Sequence, residues 1–340
     1  MASNGLSLLK SAQAGQFSGP HGLIAANDLV LIKVNSQWPE RGGTNTDLVR
    51  ALIQTIIGHP DGFSGEIVVV DNGQGRGQFT WPNANAEDTT QCIQKVVDSF
   101  NTGEVSTFLW DNIRANRVQE YDHGSDHDGY FLEGTPEPTT KMKFNYPKFK
   151  TPSGTYVSLK CGIWSPKSST YSHRKLKVIN FPVLKSHGGA GVTGCIKHYM
   201  GVISQSMIDN HPFIWNGGLA AEMAQVRFPT LTILDAIYVN PNPKGTSNQG
   251  PSTPYSSAVK TNQIVAGLDP VAIDYWSSKN ILLPAAQSLG YGSSSCSSLD
   301  PDSPGQIFHN YLTQSAMMIS AAGIQATMDP SRIKLYSKSA

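Results

Sequence analysis

Apolar positions in this chain switch between two periods, and the switching predicts its architecture. Leu29 to Val34 (LVLIKV) is a short β-branched run between polar residues and predicts a strand. A Gly42-Gly43 turn follows, with Thr44 or Thr46 as cap. Leu48, Val49, Leu52, Ile53, Ile56 and Ile57 then recur at helical spacing. Glu66 to Asp71 (EIVVVD) is a continuous apolar run, the pattern of a parallel strand covered on both faces. Strand, helix and strand in this order make a βαβ unit, whose crossover is almost always right-handed.

Cys92, Ile93, Val96 and Val97 share one side of a helix predicted over Ala86 to Phe100. From Val105 to about Tyr171 the pattern changes to short alternating segments split by Gly and Pro, among them Tyr130–Leu132, Lys141–Phe144 and Tyr156–Leu159. The α/β rhythm returns with a strand at Leu176–Leu184, a helix at Val192–Ile203, a strand at Leu231–Leu234 and a polar loop from Asn240 to Ser257. Asp269-Pro270 opens a helix reaching about Ile281, with Asp as cap and Pro in the first turn. A last helix spans Gly305 to Ala322. The expected fold is α/β: a mostly parallel sheet flanked by helices, with an inserted antiparallel β region. The expected division is an extension over 1–27, α/β segments over 28–104 and 176–325, the insert over 105–175, and a tail over 326–340.

Composition narrows the function classes. A net charge of +1 lacks the basic excess of a nucleic-acid scaffold, and no apolar run is long enough to span a membrane. Charged residues make up 15%, against roughly 25% in an average soluble domain. Ser, Thr, Asn, Gln, Gly and Pro fill the difference, which leans toward work outside the cytosol, extracellular or periplasmic, although Met1 to Gly19 holds no signal peptide. Cys92, Cys161, Cys195 and Cys296 form no C-x-x-C pair. They allow either two bridges in three connectivities or four buried thiols.

The scarce charges fall at strand ends. Lys33 and Asn35 close the first strand, Asp71 the second, Lys185 and His187 the third, and Asp235 the fourth. In open α/β sheets ligands bind outside the carboxyl ends of the strands, so a common cleft is expected there. Between Lys185 and Gly201 the sequence reads KSHGGAGVTGCIKHYMG, and Gly189, Gly191 and Gly194 satisfy G-x-G-x-x-G. A dinucleotide reading fails, because the next strand-ending acid lies about twice too far on. A Walker reading fails because Cys195 and Ile196 stand where Lys and Ser/Thr are required. What remains is a Gly-rich turn opening a helix, with Thr193 and Lys197 one turn apart: a pocket for phosphate or carboxylate. Gly73, Gly75 and Gly77 around Arg76 read as a flexible turn, and Asp122, His123, Asp126, His127 and Asp128 as a solvated loop rather than a metal site.

These segments resemble the domain of unknown function 362 family. The resemblance is carried by VLIKVN (Val30–Asn35), TNTDLVRALI (Thr44–Ile53), IVVVDNG (Ile67–Gly73), VINFPVLKSHGGAGVTGCIKHYMGVI (Val178–Ile203), LTILDAI (Leu231–Ile237) and AGLDPVAID (Ala266–Asp274). It implies an α/β protein with a shared polar cleft, whose positions map to Lys33, Asn35, Asp71, Lys185, His187, Thr193, Lys197, Asp235 and Asp269. Some members carry a ferredoxin-like segment; this chain lacks those cysteines, so no iron–sulfur cluster is expected. Members commonly have Asn where His198 stands and a small residue where Cys195 stands.

The leading expectation is therefore a protein that binds or processes a small anion. Lys33, Lys185 and Lys197 would neutralise it, and the Gly189–Gly194 turn would donate N–H groups. Asp71 or Asp235 would act as general base, or hold a divalent cation with Asn35, while His187 shuttles a proton. The sequence does not choose a reaction. The rival expectation is an exported subunit of an extracellular assembly that self-associates through its termini.

Overall fold

The computed structural model describes residues 6–82 and 85–338. Its centre is the expected parallel sheet. Strands β1 (Leu29–Lys33), β2 (Glu66–Asp71) and β3 (Val105–Leu109) lie side by side in parallel register, and β4 (Leu176–Asn180) flanks β1 on the other side. Alternate residues of β1 and β2 enter opposite cores, which is why both strands read as unbroken apolar runs. Val30, Ile32, Ile67 and Val69 pack under helices α1 (Thr46–Ile57) and α2 (Ile93–Asp98). Leu29, Leu31, Val68 and Val70 face a second core shared with an antiparallel sheet and the C-terminal helices.

The expected strand over Leu176–Leu184 is broken in two. Pro182 has no N–H to give a ladder, and the chain kinks there before β5 (Val183–His187) begins. Both halves run parallel to the long strand β7 (Leu231–Asn240), β4 through Ile179 and Asn180, β5 through Val183 and Lys185. Their other neighbours differ. β4 pairs with β1, whereas β5 pairs with the short antiparallel strand β6 (Gly191–Thr193). Where β1 ends at Lys33 and β6 takes over, the sheet parts at its carboxyl edge.

Several expectations are corrected. Asn45, not Thr44 or Thr46, caps α1, accepting the N–H groups of Asp47 and Leu48. The helix expected from Ala86 shrinks to α2, because Asp88 takes the N–H and hydroxyl of Thr90 and holds a local turn instead. Val105–Leu109 belongs to the parallel sheet rather than the antiparallel region. The five antiparallel strands run from Gly129 to Ser172, and Lys141–Phe144 lies outside them. No regular helix forms over Val192–Ile203; β6 is followed by a 3₁₀ turn at Lys197–Gly201. β7 extends well past Leu234. The unexpected β8 (Val259–Gly267) pairs antiparallel along it, with an exposed face that hid it from hydrophobic patterning.

Residues 7–24 contribute a small three-stranded parallel sheet. Expectations about the extreme ends fall on residues 1–5 and 339–340, outside the described residues. All four cysteines are free thiols. Among the described residues no helix is long and apolar enough to cross a membrane.

Asp269 caps the helix α4 (Pro270–Ser277), accepting the N–H groups of Val271 and Ala272 at 2.9 and 3.1 Å, while its other oxygen takes that of Thr327 at 2.9 Å. Its role is in folding, away from the parted sheet edge. Asp269→Ala should cost about 1–2 kcal/mol, measured as a lower urea midpoint with an unchanged slope.

Candidate functional site

A cavity of about 60 Å³ lies at the parting of the sheet, several times the roughly 10–15 Å³ that one water needs. Lys33, Asn35, Asp71, Lys185, His187, Thr193 and Lys197 all line it, so seven of the expected site residues meet there. Their elements explain the meeting. Lys33 and Asp71 are the last residues of adjacent strands. Lys185 and His187 sit two apart on β5, and Thr193 stands opposite Lys185 in the β5–β6 ladder, so these side chains share a face.

The three lysines are held differently. Lys33 Nζ is 2.8 Å from Asp71 Oδ1, and both residues are buried. Asp71 Oδ2 accepts the Ser36 N–H at 2.7 Å and its hydroxyl at 2.9 Å. Burial lowers the pKa of Lys33 and Asp71 opposes the shift. Lys185, fully buried, donates to the Gly42 carbonyl at 2.8 Å, and burial pushes its pKa down to about 7. Lys197 is 8% exposed and makes no hydrogen bond or ion pair among the described residues. Burial, and then the charge of Lys33, push its pKa down to about 8. The Thr193 hydroxyl is likewise buried without a partner.

His187 is fixed as a neutral donor. Its Nδ1 accepts the N–H groups of Gly189 and Ala190 at 3.0 and 3.1 Å, which leaves the proton on Nε2. Burial, Lys197 and Lys185 push its pKa down to about 3, so it does not shuttle protons near neutrality. His198 also lines the cavity, with Nδ1 2.8 Å from Asn180 Oδ1 and Nε2 3.0 Å from the Val34 carbonyl.

Other expected residues lie elsewhere. Asp235 sits mid-strand in β7. It accepts the Asn45 N–H at 3.0 Å and the Asn85 amide at 2.6 Å, tying the α1 cap to a distant loop. Burial pushes its pKa up to about 6, yet it does not reach the cavity. The glycines are packing positions: a side chain on Gly189 would meet Trp215, on Gly191 the Ser298 carbonyl, and on Gly194 the Asp274 carboxylate. That carboxylate takes the N–H groups of Cys195 and Ile196 at 2.6 and 3.2 Å. The N–H groups of Gly189 and Ala190, like those of Cys195 and Ile196 just after the turn, are therefore taken by side chains of the protein rather than left for a ligand. Nor does the donor set suit a divalent cation with Asn35, since the one carboxylate at the cavity faces lysines and already has partners on both oxygens. Among the described residues no group of His, Cys, Asp and Glu is arranged to hold a metal ion, the Asp122–Asp128 segment included.

Sequence reasoning passed over Ser36, Asn72, Gln74 and Gly201. Asn72 gives its amide to the Tyr130 hydroxyl at 2.8 Å and the Ile203 carbonyl at 3.0 Å, pinning the 3₁₀ turn to the end of β2. Gly201 matters more: a Cβ there would lie 2.4 Å from both Lys33 Nζ and Asp71 Oδ1. The one legible signal was its place at the end of the glycine-rich segment.

Two outcomes follow. Gly201→Ala should destabilise the fold by about 1–3 kcal/mol through overpacking against the ion pair, measured by urea unfolding. Lys185 binds its proton less tightly folded than unfolded, so the unfolded chain holds more protons and stability rises with pH from about 7 toward 10.5. Between pH 7 and 9 the native chain should gain on the order of 2 kcal/mol relative to Lys185→Met. Parallel stability curves for the two proteins would contradict this.

Residues 173–279 match the family model described as Domain of unknown function (DUF362). No curated protein and no solved structure matches the chain. The matched segment runs from just before β4 to the end of α4 and holds Lys185, His187, Thr193, Lys197 and Gly201, whereas Lys33, Asn35 and Asp71 precede it. Over this segment, about a third of its length, the chain is similar to the domain of unknown function family DUF362.

Proposed function

We propose that the protein binds a small anion, of the phosphate or carboxylate class, in the cavity between Lys33, Lys185 and Lys197. The observation that carries this reading is that Lys197, a buried residue, and the Thr193 hydroxyl both line the cavity and have no partner among the described residues. A buried cation without a counter-charge is costly, and so is a buried hydroxyl without a hydrogen bond; one anion would relieve both. Lys185 and the Nε2–H of His187 supply further donors on the same wall. The cavity size fits an anion of a few heavy atoms rather than a nucleotide.

The lysine pKa values set the pH dependence. An anion favours the charged form of Lys185 and Lys197, so binding takes up protons near neutral pH and weakens as pH rises through about 7 to 8. Thermal unfolding should be followed in inorganic phosphate, and in sulfate, whose own charge is constant over this range. A ligand at a hundred times its Kd stabilises by about 2.7 kcal/mol. Both anions should raise the midpoint of the native chain at pH 6.5, and the sulfate effect should fade by pH 9. Lys197→Met should lose the effect at pH 6.5. A native midpoint indifferent to both anions, or a Lys197→Met response equal to the native one, would count against the reading.

A further inference from the structure

We propose that Lys197 is an amine nucleophile that forms an imine with a small carbonyl compound bearing a carboxylate, a 2-oxo acid. This rests on the anion-binding reading and adds a covalent step at the same cavity. The geometry separates the three lysines by what each can do. Lys33 is tied to Asp71 at 2.8 Å, and that pairing favours its charged form against the burial that lowers its pKa. Lys185 is tied to the Gly42 carbonyl at 2.8 Å at the back of the cavity. Lys197 alone of the three reaches the cavity with its nitrogen uncommitted among the described residues.

An amine attacks a carbonyl only as the neutral base. Desolvation and a neighbouring cation are the two means by which proteins keep lysine neutral near pH 7. Both act on Lys197: it is buried, and Lys33 is the charge that opposes its proton. A carboxylate next to the carbonyl would pair with the charge of Lys33 and with Lys185. The carbonyl carbon would then be held toward Lys197, with the Thr193 hydroxyl free to bond the carbonyl oxygen.

The step balances without any redox partner. The nitrogen lone pair forms the N–C bond and the carbonyl π bond opens onto oxygen. The oxygen then leaves as water with the two amine protons, giving the neutral imine; one further proton yields the iminium. Lys185, with its pKa near 7, stands on the same wall as a proton donor and acceptor for the oxygen. His187 is unsuited to that exchange, since its Nδ1 is occupied and its proton stays on Nε2.

The test is reductive trapping of the full chain with pyruvate or glyoxylate and cyanoborohydride at pH 7.5, read by intact mass and peptide mapping. At that pH Lys197 should hold on the order of a hundredfold more free amine than an exposed lysine of ordinary pKa. One reduced adduct on the peptide holding Lys197 should form first, and inorganic phosphate should slow it. Lys197→Arg, which keeps the charge, should abolish that adduct while still unfolding cooperatively in urea. Labelling spread evenly over surface lysines, or a first adduct that persists in Lys197→Arg, would overturn the imine. A sulfate shift in the native chain without any adduct overturns the imine alone. Absence of the shift removes the anion reading beneath it.

Discussion

Three lysines and a single carboxylate meet, among the described residues, in one small cavity, and the surrounding structure is organised by that imbalance. Taking an ammonium out of water costs several kcal/mol even after relaxation, unless a partner restores what the solvent gave. Lys33 has such a partner in Asp71, and Asp71 is in turn held by both donors of Ser36. Lys185 has only a carbonyl, and its burial is tolerated through a weakened hold on its proton. Lys197 has neither. The close approach of the 3₁₀ turn to the ion pair is possible because residue 201 has no side chain. The parting of the sheet, where β4 beside β1 gives way to β5 beside β6, gives the three side chains their common space.

The same constraint explains what became of the glycine-rich turns. Exposed N–H groups at a tight turn attract an anion, and in this protein its own side chains, two carboxylates and a neutral imidazole, take those donors. Asp274 takes the N–H groups of Cys195 and Ile196. Asp111 takes those of Gly73, Gly75 and Gly77, and His187 those of Gly189 and Ala190. Both loops are anion nests already filled from within. An anion in the cavity, as proposed, would therefore meet side chains, chiefly ammonium groups, whose charge depends on pH near neutrality. A backbone cradle would have had no such dependence.

Much of this was legible in the residues, for identifiable reasons. β1 and β2 are buried on both faces, so composition alone marked them, and strand-final Lys33 and Asp71 followed from their ends. Lys185, His187, Thr193 and Lys197 were drawn together by one dense segment and by its family resemblance. The glycines were misjudged because a G-x-G-x-x-G string does not reveal that Asp274, far along the chain, takes the donors. Asp235 was misplaced because β7 was read only to Leu234. Six further residues lengthen the strand to Asn240 and move Asp235 from its end to its middle. Asp269 has the signature of a helix cap, and it is one. Gly201 was marked only by its place at the end of the glycine-rich segment, since its importance lies in a contact between segments more than a hundred residues apart.

That contact also bears on what the family segment can do alone. The match over 173–279 brings four cavity-lining residues with nitrogen side chains, Lys185, His187, Lys197 and His198, but not the Lys33–Asp71 pair. Lys33 and Asp71 come from the preceding βαβ unit, and the two parts join where the Gly201 carbonyl accepts the Asn72 N–H at 3.2 Å. Without Lys33 there would be no cation to oppose the proton on Lys197. Without the 3₁₀ turn the Lys33–Asp71 pair would open to water, where an exposed ion pair contributes little. The reactivity proposed for Lys197 is thus a property of the junction. Substitutions that shift the turn relative to β1 and β2 would alter its pKa without touching the lysine itself.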